Sequence, residues 1–246
     1  MIKAISFDFY NTLVRFWPAL EEIQQAACRE LGLTVTSEGI SRGYSDADVY
    51  FNRENEDEPL ALRSEEQRLE FFGRYEQMIL EGAGVAVSND LAKRIWKMAM
   101  TVPKDFMPFE DTIPALQALG AQGYKLGVIS NLRRDMGELC NRLGLSEYLD
   151  FTISAEDAGS EKPHAPIFQA ALEKTAVSPG EALHVGDQYR SDVLGARAVG
   201  MHTVLIDRRG WMGEVADCLK ISSLAELIPI LDEAPQSLTP QNGAVS

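Results

Sequence analysis

The spacing of apolar positions changes character twice along the chain. Residues 3–9, KAISFDF, alternate apolar and polar side chains and run straight into the polar turn YNT, the pattern of a buried strand ending in a loop. From about Phe16 to about Lys104 the period lengthens to that of helices. Leu20, Ile23, Ala27 and Leu31 share one helical face that ends at Gly32, and Ser64 with Gln67 forms a capping-box pattern ahead of Leu69, Phe72 and Ile79. The acidic run Glu54 to Glu58 before Pro59 predicts an exposed loop between helices. Beyond Pro108 strand and helix signals alternate, with strands predicted at residues 125–130, 148–154, 182–187 and 201–207.

Alternation of this kind implies a parallel sheet with helices on both faces, to which the first strand also belongs. The predicted fold is therefore α/β: a Rossmann-like parallel sheet flanked by helices, with a small all-helical domain inserted after the first strand. The expected limits are residues 1–15 and 105–233 for the core and 16–104 for the insertion. Residues 234–246, rich in Pro, Ser and Gln and without periodicity, predict a disordered tail.

Composition narrows the function classes. With 246 residues, 45% of them hydrophobic, the chain is long enough to bury a full core. Cys28, Cys140 and Cys218 are odd in number and lack CxxC spacing, so they predict buried small hydrophobes rather than disulfides or a zinc site. No stretch approaches the roughly 20 apolar residues that span a bilayer, and Met1 leads at once into strand-like sequence instead of a signal segment. The expected location is cytoplasmic. A net charge of −14 argues against nucleic acid or an anionic membrane as partner, since both need a basic surface. The expected partner is a small anionic substrate, for which an acidic chain must supply local positive charge from a metal, a lysine or helix N-termini.

Four loops at the carboxyl ends of predicted strands carry the candidate chemistry: Asp8 with Thr12, Ser130 with Asn131, Lys162 with Pro163, and Asp187 with Asp192. Each has an ordinary structural use as well. Asp8 and Asp187 suit helix caps, Lys162 a solvated loop, Ser130 and Asn131 the cap of a helix starting near Arg133, and Asp192 a first helical turn. His184 and His202 fall in strand patterns and read as structural, whereas His164 follows KP in a loop and is a candidate substrate contact.

Taken in order, DFYNT, SN, KP and GDQYRSD resemble the four motifs of the haloacid dehalogenase-like hydrolase superfamily, over nearly the whole chain except its tail. Residues 155–201 look closest to the branch containing the mammalian haloacid dehalogenase-like domain 3 proteins. The resemblance implies a nucleophilic Asp8 that forms a covalent intermediate later hydrolysed by water. It implies Mg²⁺ held by Asp8, Asp187 and the main-chain carbonyl of Tyr10, with Asp192 in support. Ser130 and Asn131 would hydrogen-bond the transferring group, Lys162 would pair with Asp8 and neutralise developing charge, and Thr12 would donate near the nucleophile. In the helical cap, Arg42 is the candidate to close over the substrate, beside Tyr44, Arg53 and Arg63. Arginines on amphipathic helices equally suit solvent.

Tyr10 departs from the phosphatase pattern, which has a general-acid aspartate there. A tyrosine is the habit of the family's metal-independent 2-haloacid dehalogenases. Those enzymes, however, replace the aspartate matching Asp187 by serine, carry asparagine at the position of Tyr189, and have tyrosine where Phe168 stands. An unpaired acid cluster is costly, so retention of Asp187 favours a cation and Mg-dependent phosphatase chemistry. The dehalogenase reading stays open, as does a weakly active binding or regulatory module.

Overall fold

The computed structural model describes residues 1–233 apart from 59, 211, 213, 214 and 216; the tail expected at 234–246 lies outside the described residues. The chain forms two compact units, one of residues 1–15 with the chain from Phe106 onward, the other Phe16–Asp105.

The first unit is built on strands β1 (Ala4–Phe7), β4 (Lys125–Ser130), β5 (Phe151–Ser154), β6 (Ala182–Gly186), β7 (His202–Ile206) and β8 (Leu219–Ile221). They lie in the order β5-β4-β1-β6-β7-β8, and every neighbouring pair is parallel. Such a sheet is covered on both faces, which is why β1 and β6 are buried along their whole length, Ser6 and His184 included. Leu126 and Val128 pack into a core with Phe7, Leu116 and Leu139, whereas Ile129, Phe151 and Ile153 pack with Ile167, Phe168 and Ala171 on the opposite face. The strand expected at 148–154 starts only at Phe151, because Ser146–Tyr148 forms a 3-10 turn. Helices α5 (Thr112–Ala121), α6 (Met136–Arg142), α7 (Ala155–Ala158), α8 (Ala165–Thr175), α9 (Gly195–Ala198) and α10 (Leu227–Glu233) complete the unit. The helix expected near Arg133 starts at Met136 and is capped by Asp135, so Ser130 and Asn131 are not its caps.

A two-stranded sheet pairs β2 (Val14–Trp17) with β3 (Asp105–Pro108), the segments through which the chain leaves and rejoins the parallel sheet. Neither strand is apparent in the sequence pattern.

The second unit holds α1 (Leu20–Glu30), α2 (Ser37–Asp57), α3 (Glu65–Gly82) and α4 (Asn89–Thr101). The Ser64–Gln67 capping box is present. The acidic run expected as a loop is helical up to Asp57, since Glu is a good helix former, and Glu58, the residue before a proline, takes the extended conformation that such a position favours. Helices α2 and α3 touch backbone to backbone: a Cβ on Gly43 would sit 2.0 Å from the Ile79 carbonyl oxygen, and one on Gly82 would sit 2.3 Å from the Gly43 Cα. Phe71, Phe72 and Tyr75 form an aromatic cluster in which Phe72 stacks on Trp96 at 4.4 Å. Inside this unit Gln24 donates to Glu76 at 2.8 Å and to the Tyr44 hydroxyl at 3.3 Å. Gln24 Oε1 and Glu76 Oε1, both buried, have no hydrogen-bond partner among the described residues. Burial pushes the Glu76 carboxyl up to about 7, against the pull of the Gln24 amide.

Candidate active site

The parallel sheet delivers three of the candidate loops from adjacent strands, β4, β1 and β6, whose carboxyl ends lie side by side in register. Asp8 directly follows β1, and its amide donates to the Val185 carbonyl at 2.8 Å, which ties the nucleophile candidate to the neighbouring strand. The chain then curls sharply. Asn11 takes the left-handed φ of 61°, which Asn tolerates better than most residues, and the Leu13 and Val14 amides both donate back to the Phe9 carbonyl. Thr12 is fully buried in this curl, and its hydroxyl has no partner.

Lys162 is the centre of the charge arrangement. Its ammonium, nearly inaccessible to solvent, bonds to Asp8 Oδ1 and to Asp192 Oδ1, the latter at 2.6 Å. Burial alone would lower its pKa, but the carboxylates of Asp192 and Asp8 more than offset this and raise it. The solvated loop lysine that the sequence also allowed is excluded by this burial. Asn131, from the loop after β4, grips the Lys162 main chain: its Nδ2 donates to the Lys162 carbonyl at 3.0 Å and its Oδ1 accepts from the Lys162 amide at 2.7 Å. Ser130, buried beside it, accepts from the Leu132 amide at 3.2 Å.

Asp192 accepts from Lys162, from His184 Nε2 at 3.1 Å and from the Gln188 amide at 2.9 Å. Its burial would raise the pKa, yet Lys162 and His184 drive it well below the carboxylate range. It is thus an ionised counter-charge behind Lys162, with its oxygens already engaged. Gly186 makes room for it, because a Cβ there would lie 2.2 Å from the Asp192 Cγ. Burial lowers the pKa of His184 and keeps the ring neutral. The ring therefore donates from Nε2 to the Asp192 carboxylate, and Nδ1 accepts from the Ser6 hydroxyl at 2.9 Å.

Asp8 is pushed up to about 6 by burial, with Lys162 opposing and Asp192 reinforcing the rise. Asp187 is likewise raised well above the usual carboxylate range, first by burial and then by repulsion from Asp8 and Asp192; Lys162 and a hydrogen bond from the Asn11 side chain partly compensate. Two carboxylates thus hold one ammonium, with Asp187 within electrostatic reach of all three groups, and a site in which two carboxyls hold protons more tightly than usual favours added positive charge. Among the described residues no three His, Cys, Asp or Glu side chains converge as a ready-made metal cage. Asp8, Asp187 and the Tyr10 carbonyl are all oxygen donors, the donor chemistry that Mg²⁺ takes.

His164 is exposed at the N-cap of α8. Arg42 belongs to the helical unit, is exposed, and donates to the Gly82 carbonyl at 3.3 Å. Arg63 is held by the Glu54 and Glu58 carbonyls and lies over the Phe71 ring, Arg53 pairs with Glu54, and Tyr44 is buried against Gln24. These engagements make Arg63 and Tyr44 parts of the helical unit's own packing. Asn11 and the main-chain role of Asn131 went unread in the sequence; the Asn-Thr turn after a buried strand was the available signal for Asn11.

A doubly wound parallel sheet with an acidic, lysine-bridged centre at its carboxyl edge has its charged groups where open α/β sheets bind their ligands. The haloacid dehalogenase-like hydrolase family model matches residues 2–200, and the chain belongs to that family. It is 30% identical to the human haloacid dehalogenase-like hydrolase domain-containing protein 3 over 94% of both chains. It is 32% identical to the glyceraldehyde 3-phosphate phosphatase of Methanopyrus kandleri over 85% of both. Its fold is similar to the crystal structure of a 2-haloacid dehalogenase from Pseudomonas syringae, with a TM-score of 0.56 and 28% identity over 94% of this chain and 99% of that one. Among the described residues no helix is long and apolar enough to cross a membrane.

Proposed function

We propose that the protein is a Mg²⁺-dependent phosphatase of a small phosphorylated metabolite, acting through an aspartyl intermediate on Asp8. The observation that carries this reading is the carboxylate excess: Asp187 is repelled by Asp8 and Asp192, while Lys162 is already shared between those two. Mg²⁺, held by Asp8, Asp187 and the Tyr10 carbonyl, would supply the missing positive charge and polarise the phosphoryl oxygens. Asp8 attacks phosphorus with the leaving alkoxide or phenoxide departing, and water then cleaves the acyl phosphate, regenerating the carboxylate and releasing phosphate. Lys162, fixed by Asn131 and Asp192, keeps Asp8 ionised for attack. The unpartnered Thr12 hydroxyl, the Ser130 hydroxyl and the second amide hydrogen of Asn131 are the donors for the transferred group's oxygens. The relative named as a glyceraldehyde 3-phosphate phosphatase supports a small phosphate ester as substrate.

Tyr10 favours the second reading, a metal-independent 2-haloacid dehalogenase, and the solved neighbour named as such is consistent with it. One screen separates the two: aryl phosphates, sugar phosphates and 2-haloacids, each with Mg²⁺ and with EDTA. Phosphate release abolished by EDTA and by Asp8→Asn is the expected result. Halide release indifferent to EDTA, without phosphate release, would establish the alternative, and no turnover of either class would leave a binding module.

A further inference from the structure

Arg208, on the loop after β7, has a side chain only 10% exposed and a guanidinium engaged on every edge. Its Nε and Nη2 both donate to the Thr12 carbonyl, at 3.0 and 2.6 Å. Nη1 and Nη2 meet the two oxygens of Asp111 at 3.1 and 3.0 Å, and the Arg208 Cζ lies 3.9 Å from the Phe109 ring centroid. Asp111 is itself anchored, accepting from the Ser223 hydroxyl at 2.6 Å and the Leu224 amide at 2.8 Å. The peptide joining Thr12 to Leu13 is therefore pinned on both edges, since the Leu13 amide donates to the Phe9 carbonyl at 2.9 Å. A planar peptide held this way cannot rotate without breaking three hydrogen bonds. That peptide closes the curl between Asp8 and the buried Thr12 hydroxyl.

We infer that Arg208 is a positioning residue: braced by Asp111 and Phe109, it fixes the reactive loop from Asp8 to Thr12 in the geometry for attack. The inference rests on Asp8 being the nucleophile. It needs the forked, planar donor set of arginine, which a lysine of equal charge lacks.

The test compares the intact protein with Arg208→Lys and with Asp111→Asn, a variant of equal size that weakens the brace. Mg²⁺-dependent hydrolysis of an aryl phosphate, Mg²⁺ affinity and amide hydrogen exchange of residues 9–14 are measured on the same samples. In Arg208→Lys, kcat falls about tenfold to 10²-fold with KM and Mg²⁺ affinity unchanged, and exchange in residues 9–14 accelerates; Asp111→Asn shows the same signature more weakly. An unchanged kcat per folded molecule, or a loss that follows KM or Mg²⁺ affinity instead, overturns the inference. If the unmodified protein hydrolyses no ester, the phosphatase reading falls on its own. Exchange in residues 9–14 then decides the positioning: unchanged exchange in Arg208→Lys overturns it, and acceleration confined to this loop sustains it.

Discussion

Asn131 holds Lys162 by its main chain rather than by its charge, with the amide group matched to the lysine's own N–H and C=O at 2.7 and 3.0 Å. The ammonium is left to Asp8 and Asp192. Asn131→Ala removes both main-chain bonds and frees the lysine backbone to drift. The expected outcome is a kcat loss of at least about 10²-fold for phosphate release, since a misplacement of about 1 Å in a reacting site has effects of that size and the variant also removes the amide hydrogen proposed to meet the transferred group. Steady-state kinetics alongside thermal unfolding check it; a change in melting temperature alone would show that the pairing is only structural.

Replacing Asp187 by serine removes a charged ligand and leaves Asp8 and a carbonyl to hold the ion. Magnesium affinity measured by calorimetry should fall by more than the roughly 10- to 100-fold typical of losing an outer hydrogen-bond partner of a metal site. Unchanged affinity would refute the proposed placement.

Tyr10 stands where a general acid is expected, so a leaving alkoxide must depart unprotonated. Rates should then depend steeply on leaving-group pKa, with aryl phosphates favoured over sugar phosphates. Tyr10→Asp should raise kcat for alkyl esters by a factor within the roughly 10²–10⁴ of general acid catalysis, while magnesium binding survives because the ligand there is a main-chain oxygen. A flat dependence of kcat/KM on leaving-group pKa in the unmodified enzyme would show that another acid serves.

Glu76 gives the helical unit a pH signature. Its carboxyl titrates near 4.5 when unfolded and is pushed up to about 7 by burial when folded. The folded state thus keeps a proton that the unfolded state has already lost, and stability is fully present below about 4.5 and declines as pH rises towards 7. The slope integrates to at most about 3 kcal/mol. Glu76→Gln presents an amide that resembles the protonated acid and can complete a reciprocal pair with the unpartnered Gln24 oxygen. Denaturant titrations between pH 4 and 8 should show this variant more stable than the parent at high pH and lacking the slope; parallel curves would exclude the assignment.

The parts of this architecture with side-chain periodicity were legible, and those resting on main-chain partners were not. KLGVIS predicted β4 at its observed bounds because the run is apolar and ends in a polar turn. β2, β3 and β8 escaped notice because, unlike the equally short β1 and β5, they are only partly buried and lack the apolar run that marks a central strand. Asp8, Lys162 and Asp192 announced themselves as charged residues at strand ends, and the structure joins them through one ammonium. His184 reads as a strand residue and is one, yet its ring also helps to hold Asp192 ionised. Asn131 and Arg208 act on carbonyl and amide groups that every residue possesses, so nothing in the sequence marks their partners.

Where α2 meets α3, Gly43 and Gly82 let the two backbones touch with no side chain between them. An interface of that kind has no lubricating layer: sliding or re-tilting one helix would drive a main chain into the other, whereas helices separated by side chains can adjust through rotamer changes. At that crossing the two helices are locked against each other, while away from it aromatic pairs such as Tyr44 with Tyr75 and Phe51 with Phe71 leave room for rotamer changes. Variation that retunes this unit has the outward faces of α2 and α3 to work with, while the crossing point admits hydrogen alone.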